Sequence, residues 1–161
     1  MKLFFSFFLW FAFIGNPDLA SIRKLYPAVT KSESNAKEFM AKFTSVSDND
    51  DAVLVGYKAA SIVLNSRYEK KTQYKKDRFK EGVKLLETAI KKEPNAIEIR
   101  MIRLSIQEVV PPITGYKKNI KDDKKFLTEH YNEQSNALKE YLKSFILQSK
   151  SFSEKEKQFV K

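Results

Sequence analysis

The chain has no cysteine and only one histidine, His130, among its 161 residues. Without cysteine there is no disulfide framework and no lipid-modified N-terminal thiol, although an oxidising compartment is still permitted. A single histidine leaves no paired His/Glu spacing for zinc, and no glycine-rich phosphate loop occurs. Four glycines and five prolines leave few tight turns, which argues against a many-stranded sheet protein. For catalysis only carboxylates remain, and Asp and Glu pairs are common in any charged helical chain. The expectation is no enzyme, no catalytic residue, no metal and no cofactor.

What is present begins with an apolar run. One lysine, Lys2, precedes unbroken apolar or small residues from Leu3 to Ile14, and Gly15-Asn16-Pro17 breaks the run. That length suits the core of a signal peptide and falls short of the roughly 20 apolar residues that span a bilayer. Residues 1–17 are therefore read as an export signal, with cleavage near Gly15 or Asn16, or after Ala20. The competing reading is an uncleaved anchor or a buried N-terminal helix. The rest divides into a single helical domain over 18–150 and a charged C-terminal tail over 151–161. At 18.7 kDa and 42% apolar residues, one modest core is what the chain can bury. The net charge of +10 makes anionic surfaces plausible partners, and plain solubility explains it equally well.

Apolar spacing at three and four residues predicts about six helices in an antiparallel hairpin stack, an all-α fold. They run from about Pro17 to Ala28, Ser34 to Ser45, Asp51 to Tyr68, Asp77 to Glu93, Ala96 to Val110 and Ile120 to Gln148. The third is apolar nearly all round and belongs in the middle, with Asp50 or Asp51 as its cap. Asn16-Pro17 suits the start of the first helix, and Asn119 with Asp122 suggests a capping box for the last. Between Tyr68 and the fourth helix, "EKKTQYKKDR" has no apolar period and reads as a solvated loop or frayed helix end. The tail is expected to fray.

The spacing Phe79, Gly82, Leu86, Ala89, Pro94 resembles the second helix of a tetratricopeptide repeat, with Val55-Gly56, Tyr57 and Ala60 on its partner. The resemblance covers roughly Val53 to Asn95 and implies two antiparallel helices brought close by small residues. It departs from the family in the long connection from Gly56 to Phe79, and no second unit follows. One such unit needs other helices to complete a core. A chance match in an ordinary helical bundle is the alternative. "IRKLYP" and "IEIRMIRLSIQEVVP" resemble a family of small exported proteins of Gram-negative bacteria, which implies export and no particular activity.

Two surfaces stand out. In "NAIEIRMIRLSIQEVVPP", Arg100, Arg103 and Gln107 share a stripe between two apolar faces, so this helix is sandwiched. The stripe either lines a groove gripping a carboxylate of a protein or peptide partner, or bonds internally to Asp122, Asp123 or the Pro111-Pro112 helix end. Tyr57 and Tyr116, each in a Gly-Tyr-Lys triplet, are candidate flanks of that groove. The second surface is Arg67, Lys70, Lys71, Lys75, Lys76, Arg78 and Lys80, interleaved with Tyr68 and Tyr74. It suits anionic lipid, lipopolysaccharide or another polyanion, with nucleic acid disfavoured by export. A peptide-binding scaffold of the cell envelope is the leading expectation, and the basic surface its rival.

Overall fold

The computed structural model describes residues 15–161, so most of the proposed export signal lies outside the described residues. Among the described residues the chain is all-helical, with seven α-helices, four short 3-10 turns and no strand. The helices are α1 (Leu19–Leu25), α2 (Glu33–Ala41), α3 (Ala52–Ser66), α4 (Thr72–Lys92), α5 (Ile97–Val109), α6 (Ile120–His130) and α7 (Asn136–Gln148).

Local chemistry sets most of the boundaries. Of the two candidate caps for α3, Asp51 is the one used, accepting from the amides of Val53 and Leu54. The cap of α1 is Asp18 and not Asn16, because the Asp18 carboxylate accepts from the Ser21 amide. Asn119 makes no side-chain cap, so the expected capping box at α6 is absent. Pro111-Pro112 stops α5, and a 3-10 turn over Pro112–Thr114 follows. Gly115 then takes φ +67°, where a side chain would be strained, and turns Tyr116 inward against Phe79.

Two helices form the centre. In α3, every residue from Leu54 to Tyr57 and from Ala59 to Leu64 is buried. Its neighbour α5 is buried almost all round, including Glu98, Arg103 and Gln107. Against α3 lies α4, and their contact at Gly82 is very close. A Cβ placed there would fall 2.6 Å from Val63 Cγ2 and 2.8 Å from the Ala59 carbonyl oxygen. Gly56, which the repeat pattern pairs with α4, instead faces Ile99 and Ile102 of α5. On the outer side of α3, Tyr26, Phe39, Phe43 and Tyr57 form an aromatic cluster with ring centroids 5.0–6.3 Å apart.

Three stretches differ from the sequence expectation. The basic stretch, expected as a solvated loop or frayed helix end, is exposed but helical from Thr72, and only 67–71 connect α4 to α3. The predicted last helix is two, divided by a 3-10 turn at Tyr131–Glu133 and restarted by Ser135, whose hydroxyl accepts from the Leu138 amide. The tail does not hang free, since Phe152 and Val160 are both buried and Glu156 accepts from Lys124 at 2.8 Å. That bond holds the Glu156 carboxyl down at about 2.

Candidate functional site

The arginine stripe of α5 faces α4 and α6, and most of its donors are spent inside the protein, although the buried Nε of Arg100 has no partner among the described residues. Arg103, 3% exposed, makes a two-pronged contact with Asp123, Nε to Oδ2 at 2.7 Å and Nη2 to Oδ1 at 2.6 Å. Its third nitrogen, Nη1, reaches Glu87 of α4 at 3.0 Å. Arg100 shares Asp123 at 3.4 Å, donates to the Pro94 carbonyl, and lies over the Phe126 ring at 5.2 Å. Tyr116 donates to the other oxygen of Glu87 at 2.5 Å. Burial and that carboxylate push its phenol well above the ordinary value. Burial likewise raises the Asp123 carboxyl, while the two guanidiniums pull it back.

These positions correct the groove expectation for the stripe. Arg103, Gln107, Tyr57 and Tyr116 are buried, and a partner's carboxylate would have to displace Asp123 and Glu87 to reach the arginines. Gln107 is fully buried, and neither its Oε1 nor its Nε2 finds a hydrogen-bond partner. Of the internal acceptors anticipated from sequence, Asp123 is the one used. The Pro111-Pro112 helix end is not an acceptor; Pro94 is.

Tyr57 belongs to a different set on the opposite side of α5. Its hydroxyl donates to Glu98 at 2.7 Å and lies 3.0 Å from the hydroxyl of Tyr141, on α7. Arg23 of α1 closes the set with Nε and Nη2 on the two oxygens of Glu98, at 2.8 and 2.6 Å. One buried carboxylate thus ties α1 and α3 to α5, and α7 joins the set through the Tyr57 hydroxyl. The sequence did carry a signal for it, since Glu98 stands between Ile97 and Ile99 in a helix sandwiched on both sides and must find a cation there.

The basic stretch has the opposite geometry. The first two turns of α4 extend beyond the end of α3, and residues 70–78 are all exposed. Seven cationic residues and two carboxylates lie between Arg67 and Lys80. Arg78 has loose partners, Glu69 at 4.0 Å and Glu81 at 3.5 Å. Among the described residues no carboxylate pairs with Lys70, Lys71, Lys75, Lys76 or Lys80. Arg67 lies over the ring of Tyr68 at 5.5 Å, and the Lys71 ammonium over that of Tyr74 at 5.3 Å. No side chain caps α4 and no acid occupies its first turn, so the partial positive charge of the helix start is left uncompensated.

Beside this overhang, α2 and the end of α3 form a cleft of about 400 Å³. Its walls include Lys37, Met40, Ile62, Lys70, Lys71 and Tyr74. A second cleft, of about 380 Å³, lies between α1, α5 and α7, with Tyr26, Ser105, Glu108, Val109 and Tyr141 in its walls. His130 lies apart from both, at the end of α6, with Nδ1 2.8 Å from Glu133. Among the described residues no group of three His, Asp or Glu side chains is placed to hold a metal, and no helix is long and apolar enough to cross a membrane.

No protein-family model matches the chain. No curated protein and no solved structure is significantly similar to it.

Proposed function

We propose that this chain is an exported, non-enzymatic helical protein of the cell envelope that engages an anionic membrane surface through the overhang of α4. The observation that carries this reading is the set of five exposed lysines without internal carboxylates, Lys70 and Lys71 just before α4 and Lys75, Lys76 and Lys80 along its start, where residues 70–78 bury nothing. Such a segment contributes little to the core, so its composition is free to serve contact. Basic residues near an anionic leaflet contribute about 1 kcal/mol each, and tyrosine suits the headgroup level. The apolar run from Leu3 to Ile14 after Lys2 supports export.

The test is sedimentation with vesicles of phosphatidylglycerol or phosphatidylcholine at low and moderate salt. Binding is expected with the anionic lipid alone, to collapse as salt rises, and to fall roughly a hundredfold in Lys75→Gln/Lys76→Gln/Lys80→Gln. Equal binding to both lipids, or none, rejects the reading. Binding to duplex DNA in preference to vesicles would make the partner a nucleic acid.

A second reading, a scaffold for a protein or peptide, is favoured by the cleft between α1, α5 and α7. There Val109, 48% exposed, and the aromatic rings of Tyr26 and Tyr141 offer apolar contact beside Glu108. A partner held there would resist salt that strips an electrostatic one. The tetratricopeptide likeness of α3 and α4 belongs with this reading, and the close approach at Gly82 is the feature that supports it.

A further inference from the structure

The cleft beside the overhang joins two kinds of surface that seldom coincide. Among the described residues five large apolar side chains are exposed, and two of them, Met40 (38%) and Tyr74 (55%), stand on this one cleft with Ile62 beneath. On the same walls are four cations and two carboxylates. Glu33 is held by Lys37 at 2.7 Å and Glu69 is nearest Arg78 at 4.0 Å, which leaves Lys70 and Lys71 uncompensated. The Lys71 ammonium rests against the Tyr74 ring, so charge and apolar surface are adjacent at the opening.

A free inorganic anion would use the lysines and gain nothing from Met40, Ile62 and Tyr74. An extended polyanion would follow the exposed lysines along α4 and likewise pass the apolar wall by. An anionic amphiphile uses both. The volume, about 400 Å³, holds a headgroup and the first part of a chain, within the usual range for ligand clefts. We propose that this cleft binds a single anionic lipid, its phosphate between Lys70, Lys71 and Arg78 and its first methylenes against Met40, Ile62 and Tyr74. This deepens the membrane-surface reading and rests on it; the two share Lys70 and Lys71, but Lys75, Lys76 and Lys80 belong to the surface alone and are not in the walls of the cleft.

The experiment is calorimetric titration of the full-length chain with dihexanoyl phosphatidylglycerol below its micelle-forming concentration, alongside dihexanoyl phosphatidylcholine and inorganic phosphate. One saturable site is expected for the anionic lipid, with the other two probes at least about tenfold weaker. Lys70→Gln/Lys71→Gln should weaken the site roughly thirtyfold, and Met40→Asn/Tyr74→Ser about tenfold. Met40 is 38% exposed and Tyr74 55%, so a small fall in melting temperature is expected, and far-UV circular dichroism of each variant at the titration temperature should match the parent and exclude a folding defect. Lys75→Gln/Lys76→Gln/Lys80→Gln should leave this titration within about twofold while lowering vesicle binding roughly a hundredfold. Phosphate binding as tightly as the lipid, or an unchanged titration in Met40→Asn/Tyr74→Ser, overturns the cleft. Vesicle binding with no saturable lipid site overturns the cleft alone. A saturable lipid site without vesicle binding keeps the cleft and rejects the surface.

Discussion

The molecule carries two clusters of positive charge on neighbouring helices, and the fold treats them in opposite ways. On α5, Arg100 and Arg103 face inward and are met by Asp123 and Glu87, with Tyr116 completing the set. At the start of α4 and in the connection before it, Lys70, Lys71, Lys75, Lys76 and Lys80 face water and meet no carboxylate among the described residues. A guanidinium taken out of water must bring its acceptors along or the helix cannot pack. An exposed ammonium is already solvated and carries no such requirement. The comparison teaches that cationic residues on a helix mark a site only where the protein has not already supplied their counter-charges.

The largest test of this contrast is Asp123→Ala, which strands Arg103 in the interior. The loss of stability should be about 3–5 kcal/mol, read by denaturant unfolding. Adding Arg103→Met to that variant should recover much of the loss, because an apolar chain of similar volume needs no partner. A loss below about 1 kcal/mol would mean that water reaches the guanidinium and that the stripe is open after all. Next in size is Gln107→Met, expected to stabilise the fold by about 1 kcal/mol, since two buried polar atoms without partners are removed. Destabilisation there would point to an ordered water or a ligand on Gln107. The smallest effect belongs to the start of α4: Lys75→Gln/Lys76→Gln/Lys80→Gln should move stability by no more than about 0.5 kcal/mol while lowering vesicle binding roughly a hundredfold. A large loss would show that those lysines hold the fold.

How much of this was legible beforehand depends on what each signal measures. Apolar periodicity reports the face a helix buries, so it found α3 and α5, which are buried nearly all round. It could not find the first two turns of α4, because an overhang that buries nothing has no apolar period even though Lys and Gln are good helix formers. It also hid the break between α6 and α7. Leu127, Tyr131, Leu138 and Leu142 are spaced by four, seven and four residues, which stays in phase whether or not the helix continues. The tail read as charged and free because Phe152 and Val160 are isolated in sequence, yet each finds a place on the core. As for the site, the sequence located both basic clusters and left the α5 stripe with two readings.

By itself the sequence determined the fold class, the position of α3 and α5 at the centre, the breaks at Pro94 and Pro111-Pro112, and an aspartate cap for α3 at Asp50 or Asp51. These depend on local sterics and on periodic burial, both written in neighbouring residues. Only the tertiary structure decided that Glu98 meets Arg23, that Asp123 consumes the arginine fork, and that Met40 stands beside Lys70 and Lys71. Those pairings join residues far apart in the chain, and long-range partners are fixed by how helices pack and not by the spacing within any one of them.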